Sequence, residues 1–378
     1  MVRVLIAGDF FPQKNQALFS EGEIEALFGT EIIELFQNVD YSICNLEGVL
    51  TEAKCRIPKC GPSIKASPDT SLALRKLGVK CVTLANNHTM DYGAKGYKDT
   101  CEELDKNEIR YFGAGENTNS IQTHYNITLD GVRLAFYTVA ETVFNIPDAE
   151  TAGVNLYDEY RVCNELKTIK ANCDFLIVIY HGGVEYYQYP TPWLKTRFHR
   201  MADCGADVVV AQHTHCIGAK EDYNGSYLLY GQGNFHLFQR SEPELTRSGL
   251  LLELLISKEA IEIKHHLIRR IEDKIIYDIH QDLADFYDRS RRIATGETFD
   301  KEFSAYAEKW FIKWLLEFRG LRFSDNIMRK LCSREKFIRL LRKKYKDVTV
   351  LRMLEHVRGE EDVEVMQRGL TDFFDIKV

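Results

Sequence analysis

The stretch Gly205-Ala206-Asp207-Val208-Val209-Val210-Ala211-Gln212-His213-Thr214-His215 joins a short apolar run to a pair of histidines. The apolar part, Val208–Ala211, is rich in β-branched residues, which is typical of a strand buried on both faces. A short H-x-H segment on an extended turn can direct both rings toward one site or toward two adjacent ions. The stretch therefore predicts a buried strand that brings His213 and His215 to a site at its carboxyl end.

The same pattern of a short apolar run followed by a polar loop recurs along the chain. Segments with helical spacing lie between several of these runs, for instance Leu72, Leu74 and Leu77. Strands that alternate with helices predict an α/β fold with largely buried strands. Functional groups of such folds collect on the loops beyond the carboxyl ends of the strands. The predicted strands are Val2–Ala7, Tyr41–Cys44, Cys81–Leu84, Leu134–Val139, Phe175–Tyr180, Val208–Ala211 and Tyr227–Tyr230.

The pattern changes toward the end of the chain. Gly249–Ile256 and Ala260–Leu267 predict a closing pair of strands, and from about Asp278 onward the spacing becomes helical. We therefore expect an α/β domain at residues 1–270 and a mostly helical C-terminal region at residues 271–378. An aromatic stripe in that region is interpreted as helix core, and it consists of Phe303, Tyr306, Trp310, Trp314 and Phe318.

A basic amphipathic stretch, Met328–Lys346, lies within the helical region. Such a segment can bind an anionic surface or an acidic polymer. The simpler interpretation, which we favour, is a helix whose charged face is solvated.

Composition limits the classes of function. The chain of 378 residues is 45% hydrophobic and 28% charged, as is usual for a globular protein, and its formal net charge is -7. That charge argues against a nucleic-acid-binding protein, but a small anionic substrate remains possible because a metal ion can supply local positive charge. The ten cysteines contain no C-x-x-C pair, so a zinc ribbon is not expected. Cys55 and Cys60 are interpreted as reduced loop thiols, although a disulfide between them is an alternative.

The sequence also bears on location. The first apolar run is too short for a signal peptide and reads as a strand. No later run approaches the roughly 20 apolar residues that a membrane span requires. We therefore expect a cytoplasmic protein with no transmembrane segment.

Polar residues that can bind metal follow five of the predicted strands. Each has a structural alternative: a carboxylate can cap a helix, an asparagine can occupy a left-handed turn, and a lone histidine is often a hydrogen-bonded surface residue. Together they form a mixed nitrogen and oxygen ligand set, and such a set suits one or two divalent ions of manganese, zinc or iron. The candidates are Asp9, Glu47, Asn87, His88, His181, His213 and His215.

The order GD, NLE, NNH, HxG, HxH resembles the calcineurin-like metallophosphoesterases. More narrowly, it resembles the CapA proteins of capsule and poly-γ-glutamate synthesis. The narrower likeness covers about residues 1–240 and rests on five strings. They are Asn45-Leu46-Glu47, Leu84-Ala85-Asn86-Asn87-His88-Thr89-Met90-Asp91-Tyr92-Gly93, His181-Gly182-Gly183-Val184-Glu185-Tyr186, the opening Gly205–His215 stretch, and Tyr230-Gly231-Gln232-Gly233-Asn234-Phe235. The resemblance implies a four-layer α/β sandwich with a metal site.

The resemblance also implies roles for individual residues. Asp9 and His215 would bind a first metal, and Glu47 stands where the superfamily has a bridging aspartate. A second metal would be bound by Asn87, His181 and His213. His88 would face the leaving oxygen of the substrate as a general acid or electrostatic stabiliser. Asp91 and Glu185 are candidates for orienting a histidine, and Glu185 is also a candidate for contacting substrate. Both residues have an equal alternative as helix caps.

The chain departs from the superfamily pattern after Asp9. The usual D-x-H histidine is absent, because Phe10 and Phe11 follow the aspartate. Glu47 in place of aspartate lengthens the bridging side chain by one methylene. These two changes imply a weaker first metal position, and a single bound ion is compatible with them.

The resulting functional hypothesis is metal-assisted hydrolysis of a phosphoester. One alternative is a non-hydrolytic accessory factor of surface-polymer synthesis, which would bind an acidic polymer or a partner in the capsule-synthesis machinery. Another is hydrolysis of a γ-glutamyl amide by the same site. The expected substrate is a small anion or a polymer, and the expected biological process is capsule and polysaccharide biosynthesis.

Overall fold

The computed structural model describes residues 1–59, 61–142, 147–237, 243–295 and 299–317, together with residues 331, 333, 336, 340, 359, 363–366 and 368. Side chains of the range 299–317 are described as far as Trp310. Most of the basic stretch Met328–Lys346 therefore lies outside the described residues, as do the side chain of Trp314 and all of Phe318.

The chain divides into two compact units, one formed by Met1–Ile57 and Ser63–Glu297 and the other by Pro58–Pro62 and Thr298–Val378. The domain boundary at residue 270 stays a prediction.

The larger unit is built from strands and helices in alternation. In chain order the strands are β1 (Val2–Phe10), β2 (Tyr41–Leu46), β3 (Val49–Leu50), β4 (Lys65–Ala66), β5 (Cys81–Thr83), β6 (Arg110–Phe112), β7 (Ala114–Gly115), β8 (His124–Leu129), β9 (Val132–Ala140), β10 (Gly153–Val154), β11 (Phe175–His181), β12 (Val208–Gln212), β13 (Lys220–Tyr223), β14 (Ser226–Leu229), β15 (Asn234–His236), β16 (Ser248–Ile256), β17 (Ile261–Ile271) and β18 (Lys274–Tyr277).

The helices of the larger unit are α1 (Gln16–Glu21), α2 (Ile24–Leu27), α3 (Thr30–Gln37), α4 (Ser71–Leu77), α5 (Gly93–Lys106), α6 (Glu159–Lys170), α7 (Pro192–Asp203) and α8 (Ala284–Thr295). The smaller unit contains α9 (Phe299–Glu317). Phe303 is buried in that unit, in agreement with its interpretation as helix core, whereas Tyr306 and Trp310 are partly exposed. None of the helices in the described part of the chain combines the length and apolar character that a bilayer crossing requires.

Two mixed sheets form the framework of the larger unit. The first has the strand order β18-β17-β16-β1-β2-β5-β6, and β15 also pairs with β1. The second has the order β13-β14-β12-β11-β9-β8. The central strands of each sheet are parallel, and antiparallel strands extend one edge of the first sheet and both edges of the second.

The two sheets pack face to face between two layers of helices. Val4 and Ile6 of the first sheet share one core with Phe136, Ile177 and Val210 of the second. A separate core covers the outer face of the first sheet beneath α1 to α5, and a third covers the outer face of the second sheet beneath α6 and α7. The order helix, sheet, sheet, helix is the predicted four-layer α/β sandwich.

β1 is longer than the sequence predicts. Its apolar run ends at Ala7, but the strand continues to Phe10. The extension occurs because β15 joins it as a second parallel partner, with Asp9 opposite Asn234. Because of this pairing, Asp9 lies within the sheet and not in a loop.

Two buried glutamines connect the sheets next to Asp9. Gln212, at the end of β12, donates from Nε2 to the carbonyl oxygen of Ala7 (3.1 Å) and to Oε1 of Gln232 (3.0 Å). Gln232 donates in turn to the carbonyl oxygens of Ile6 (2.8 Å) and Leu250 (3.0 Å). Buried amides are stable only when they are hydrogen-bonded. This network therefore fixes the end of β12, and with it the H-x-H segment, relative to β1.

Candidate metal centre

The strand ends of both sheets bring the predicted ligands together. Asp9 lies in β1 and Glu47 directly follows β2 in the first sheet, while His181 ends β11 in the second sheet. The remaining predicted ligands lie on the loops after β5 and β12. The full set of predicted ligands is Asp9, Glu47, Asn87, His181, His213 and His215. Asn87 is partly exposed, and the other five are buried.

Asp9 lies at the middle of this group. Its Oδ1 accepts a hydrogen bond from Asn45 Nδ2 (2.8 Å), and its Oδ2 accepts one from the backbone N–H of His213 (3.0 Å). The Nδ1 atoms of two imidazoles also face this carboxylate, that of His181 at 3.8 Å and that of His215 at 3.5 Å. The carboxylate of Asp9, in the first sheet, thus faces three ligand candidates of the second sheet, which are His181, His213 (through its backbone N–H) and His215.

Glu47 approaches the same imidazoles from the opposite side. Its Oε1 lies 3.8 Å from Nε2 of His181, 3.8 Å from Nε2 of His215 and 4.0 Å from Nε2 of His88. The side chain is only 1% exposed. A carboxylate oxygen in this position can share a cation with the histidine nitrogens around it.

Asn87 and His213 complete the group around His181. The Nε2 atom of His181 lies 3.0 Å from Oδ1 of Asn87. The ring centroids of His181 and His213 are 4.9 Å apart, and those of His213 and His215 are 5.8 Å apart. The structure therefore brings all six predicted ligands into one cluster.

The H-x-H segment has an unusual backbone. His213 and His215 both have positive φ angles, 89° and 53°. Non-glycine residues rarely adopt this region, and they persist there only when the surrounding contacts hold them. The hydrogen bond from the His213 amide to Asp9 and a bond from the Tyr186 amide to the carbonyl oxygen of Thr214 (2.8 Å) are two such contacts. The strain is thus located at the residues that carry the candidate ligands.

The electrostatic environment of the cluster shifts the pKa values of His181 and His215 in opposite directions. Burial acts to lower the pKa of His215, but the carboxylates of Glu47 and Asp9 outweigh it and raise this pKa to about 10. Burial and the neighbouring His213 hold the pKa of His181 well below its usual value. Burial acts to raise the pKa of Asp9, but its contacts with His215 and His181 lower it to about 2. The two carboxylates therefore favour the protonated form of His215, and a cation that binds this ring must displace a proton.

His88 forms a pair with Asp91 beside the cluster. Nδ1 of His88 lies 2.7 Å from Oδ2 of Asp91, which also accepts a hydrogen bond from the backbone N–H of Ile64 (2.7 Å). The backbone N–H of His88 donates to Oδ1 of Asn86 (3.0 Å). These contacts fix the ring with its Nε2 atom directed toward Glu47. The predicted orienting role of Asp91 has a geometric basis here.

Glu185 occupies a different environment. It lies exposed on the loop after β11, and in the described part of the chain it makes no hydrogen bond or ion pair. Its negative charge contributes to the raised pKa of His215 from a distance. Glu185 therefore does not orient a histidine by direct contact, and contact with substrate is the role that remains open to it.

Three residues of the site were missed by the sequence interpretation. Asn45 bridges Asp9 and His181, with its Nδ2 atom 3.2 Å from Nδ1 of the histidine. Asn234 places Oδ1 at 3.0 Å from Nδ1 of His215. Glu141 directly follows β9, and its carboxylate lies 3.7 Å from Nε2 of His213 and accepts a hydrogen bond from the Gly183 amide. The position of Glu141 at a strand end was a signal of the same kind as those used for the other ligands.

Phe11 occupies the place of the missing D-x-H histidine. The side chain is fully buried in the core beneath the first sheet. Its ring leaves no room for a side chain at Gly48, where an added Cβ would lie 2.2 Å from Cε2 of Phe11. An apolar ring at this sequence position thus packs against Gly48, the residue that follows Glu47.

The donor set fits a divalent cation. Glu47, His213 and His215 each offer a ligand atom, and these atoms lie within 4.8 Å of one another. Imidazole nitrogens combined with carboxylate and amide oxygens match the preferences of zinc, manganese and iron. The cluster is therefore a candidate metal-binding group.

The chain matches the family described as bacterial capsule synthesis protein PGA_cap over residues 3–239. It belongs to this family. The matched segment contains every ligand candidate and ends just after β15. The resemblance to capsule and poly-γ-glutamate synthesis proteins that the sequence motifs indicate is thereby confirmed.

Two curated relatives and one solved structure illustrate the similarity. The capsule biosynthesis protein CapA of Bacillus anthracis is 31% identical over 227 residues, which are 56% of this chain and 55% of the relative. The PGA biosynthesis protein CapA of Bacillus subtilis is 29% identical over 230 residues, 59% of this chain and 60% of the relative. The chain thus spans little more than half the length of the curated relatives it matches.

A phosphatase structure from Mycoplasma pneumoniae is similar at 14% identity and a TM-score of 0.44, and the match covers 75% of this chain and 98% of that one. The layer order described above, and not this similarity, identifies the fold.

Proposed function

We propose that this PGA_cap protein is a metal-dependent hydrolase of the phosphoesterase type that acts in the biosynthesis of a capsule or a related surface polymer. The observation that carries the proposal is the convergence of Asp9, Glu47 and four further ligand candidates in one buried cluster. The family match supports the biological setting. The cytoplasmic location expected from the sequence belongs to the same proposal.

The ligands divide between two positions that share Glu47. Asp9 and His215 would hold one ion, and Asn87, His181 and His213 a second, with manganese, zinc or iron as the expected metals. A divalent ion bound here would lower the pKa of a water molecule and polarise the bond to be cleaved. Because Phe11 replaces one ligand of the first position, occupancy by a single ion is part of the proposal.

His88 and Asp91 supply the acid. The carboxylate of Asp91 contacts Nδ1 of His88 at 2.7 Å, so it orients the ring and leaves Nε2 directed toward the cluster. A protonated His88 can then neutralise the charge that develops on the leaving oxygen. The substrate would be a small anion or an anionic polymer, because the metal and His88 together present positive charge.

Hydrolysis of a generic phosphoester tests the proposal. Protein loaded with manganese or zinc is expected to release the alcohol and inorganic phosphate from an aryl phosphate, and His213→Ala is expected to lose metal and hydrolysis together. His280→Ala is the matched control, since His280 is an exposed histidine outside the cluster. Full hydrolysis by metal-free wild type would contradict the proposal.

A second substrate class uses the same ligands. A γ-glutamyl amide would release a free amine instead of phosphate, and a fluorogenic amine assay on polyglutamate separates the two reactions. Amine release without phosphate release would reassign the site to amide hydrolysis.

A non-hydrolytic accessory role is the second candidate function. The observation that favours it is Phe11, because a buried ring in place of a ligand weakens one metal position. Salt-dependent binding of polyglutamate by the wild-type protein, with neither product released, would support this role over hydrolysis. The basic segment would then be tested by charge reversal at Arg339, Arg342 and Lys343.

A further inference from the structure

Two cysteines that are distant in the chain lie side by side in the helix layer that covers the second sheet. Cys163 is in the first half of α6, and Cys204 directly follows the last residue of α7. Their Sγ atoms are 2.7 Å apart. The sulfur atoms of a disulfide are about 2.05 Å apart, so an approach of about 0.7 Å would bring this pair to bonding distance.

Other contacts hold the two helices in this arrangement. Glu159, in the first turn of α6, forms an ion pair with Arg200, in the last turn of α7. The backbone N–H of Cys204 donates to the carbonyl oxygens of Arg200 (2.9 Å) and Met201 (3.2 Å). The positions of both sulfur atoms therefore follow from the packing of α6 on α7, and the approach that remains between them is about 0.7 Å.

We propose that Cys163 and Cys204 form an intramolecular disulfide by exchange with a small disulfide such as oxidised glutathione. The Cys163 thiolate attacks one glutathione sulfur, which gives a mixed disulfide and releases one glutathione thiolate. The Cys204 thiolate then attacks Sγ of Cys163 and releases the second. The two protein thiols lose their protons and are oxidised, and one disulfide is reduced to two thiols.

The exposure of the two residues sets the order of these steps. Cys163 is partly exposed, whereas Cys204 is only 7% exposed. Glutathione therefore reacts first at Cys163, and Cys204 resolves the mixed disulfide. Burial, with a further contribution from Cys204, raises the pKa of the Cys163 thiol to about 11. Because little thiolate is present at neutral pH, the first step is slow.

The bond would close a loop that carries part of the metal cluster. The segment between the two cysteines contains β11 with His181, the following loop and α7. A cross-link over this separation restricts the unfolded chain, and we expect the oxidised protein to unfold at a Tm roughly 5–10 °C higher than the reduced protein.

The experiment is oxidation of folded, full-length protein with oxidised glutathione, followed by alkylation of free thiols and peptide mass mapping without reduction. We expect a peptide pair joined through Cys163 and Cys204. Cys204→Ser is expected to accumulate glutathione on Cys163, whereas Cys163→Ser is expected to leave Cys204 unmodified. Cys173→Ser is the matched control, since Cys173 lies just after α6 and its removal should leave the disulfide intact.

The wild-type result decides the question even if a variant does not fold. Alkylation of both cysteines in oxidised wild-type protein would overturn the proposal, as would glutathione on Cys204 in Cys163→Ser. Neither result depends on metal binding or hydrolysis, so the disulfide and the proposed function succeed or fail separately.

Discussion

Replacement of Gly8 by alanine tests whether the backbone next to Asp9 positions the metal cluster. A Cβ added at Gly8 would lie 2.1 Å from the carbonyl oxygen of Gly233 and 3.2 Å from its carbonyl carbon. Both neighbours are backbone atoms of the segment that enters β15. β15 in turn carries Asn234, which contacts His215. The substitution therefore forces apart two paired strands, β1 and β15, whose residues Asp9 and Asn234 both face Nδ1 of His215.

The size of the effect follows from the distances. Real Cβ atoms essentially never approach closer than 3.0 Å, so β1 and β15 must separate by about 0.9 Å at this point. Overpacking of a buried site typically costs about 1–3 kcal/mol, and we expect about 3 kcal/mol because neither neighbour is a flexible side chain. A displacement of about 1 Å in a catalytic site can lower activity by about 10²-fold. We expect a loss of this size in hydrolysis, together with weaker metal binding.

Urea unfolding of chelator-treated protein measures the stability change, and metal titration of the folded variant measures the change at the site. Gly29→Ala is the matched control: an added Cβ there would lie 3.5 Å from its nearest neighbours, in ordinary contact, and the backbone φ is -69°. We expect its stability to change by less than about 1 kcal/mol. If Gly8→Ala were as stable as Gly29→Ala and bound metal normally, the account of how β15 and β1 position the cluster would be refuted.

Three further substitutions test individual residues. His88→Gln should retain metal but lower kcat by about 10²–10⁴-fold, and loss of the metal in elemental analysis would instead indicate a ligand. Glu141→Ala should weaken metal binding about 10–100-fold because it removes a carboxylate beside His213, and Glu141→Gln should weaken it less. A metal titration that gives Glu141→Ala the affinity of the wild type would exclude this role for Glu141. Phe11→His should add one bound ion per chain and reduce stability by about 1–3 kcal/mol, and unchanged stoichiometry would show that Phe11 does not occupy a metal position.

Much of the cluster could be predicted because strand ends are visible in the sequence. His181 ends β11 and Glu47 directly follows β2, as the apolar runs before them indicate. The carboxyl ends of parallel strands meet at one edge of a sheet, so polar residues at those ends are expected to converge. The packing of the two sheets on each other could also be expected from runs of residues buried on both faces.

The contacts between ligands could not be predicted in the same way. Asn45 and Asn234 contact Asp9 and His215 because β2 and β15 both pair with β1, and pairings between strands distant in the chain are not encoded in local sequence. Glu141 was missed because it is a single acidic residue after an apolar run and is not part of a conspicuous motif. Glu185 was included because a ligand histidine usually donates its second N–H to a carboxylate, but Glu185 lies exposed on the loop after β11.

The central claim is that six side chains from two sheets hold a divalent cation, and metal analysis of purified protein tests it most directly. Chelator-treated wild type and His213→Ala would each be dialysed against manganese, zinc or ferrous iron and measured by elemental mass spectrometry. We expect one or two equivalents of at least one of these metals per wild-type chain and a clear loss in the variant. Wild-type protein that retains no metal, or a variant that retains as much as the wild type, would contradict the claim.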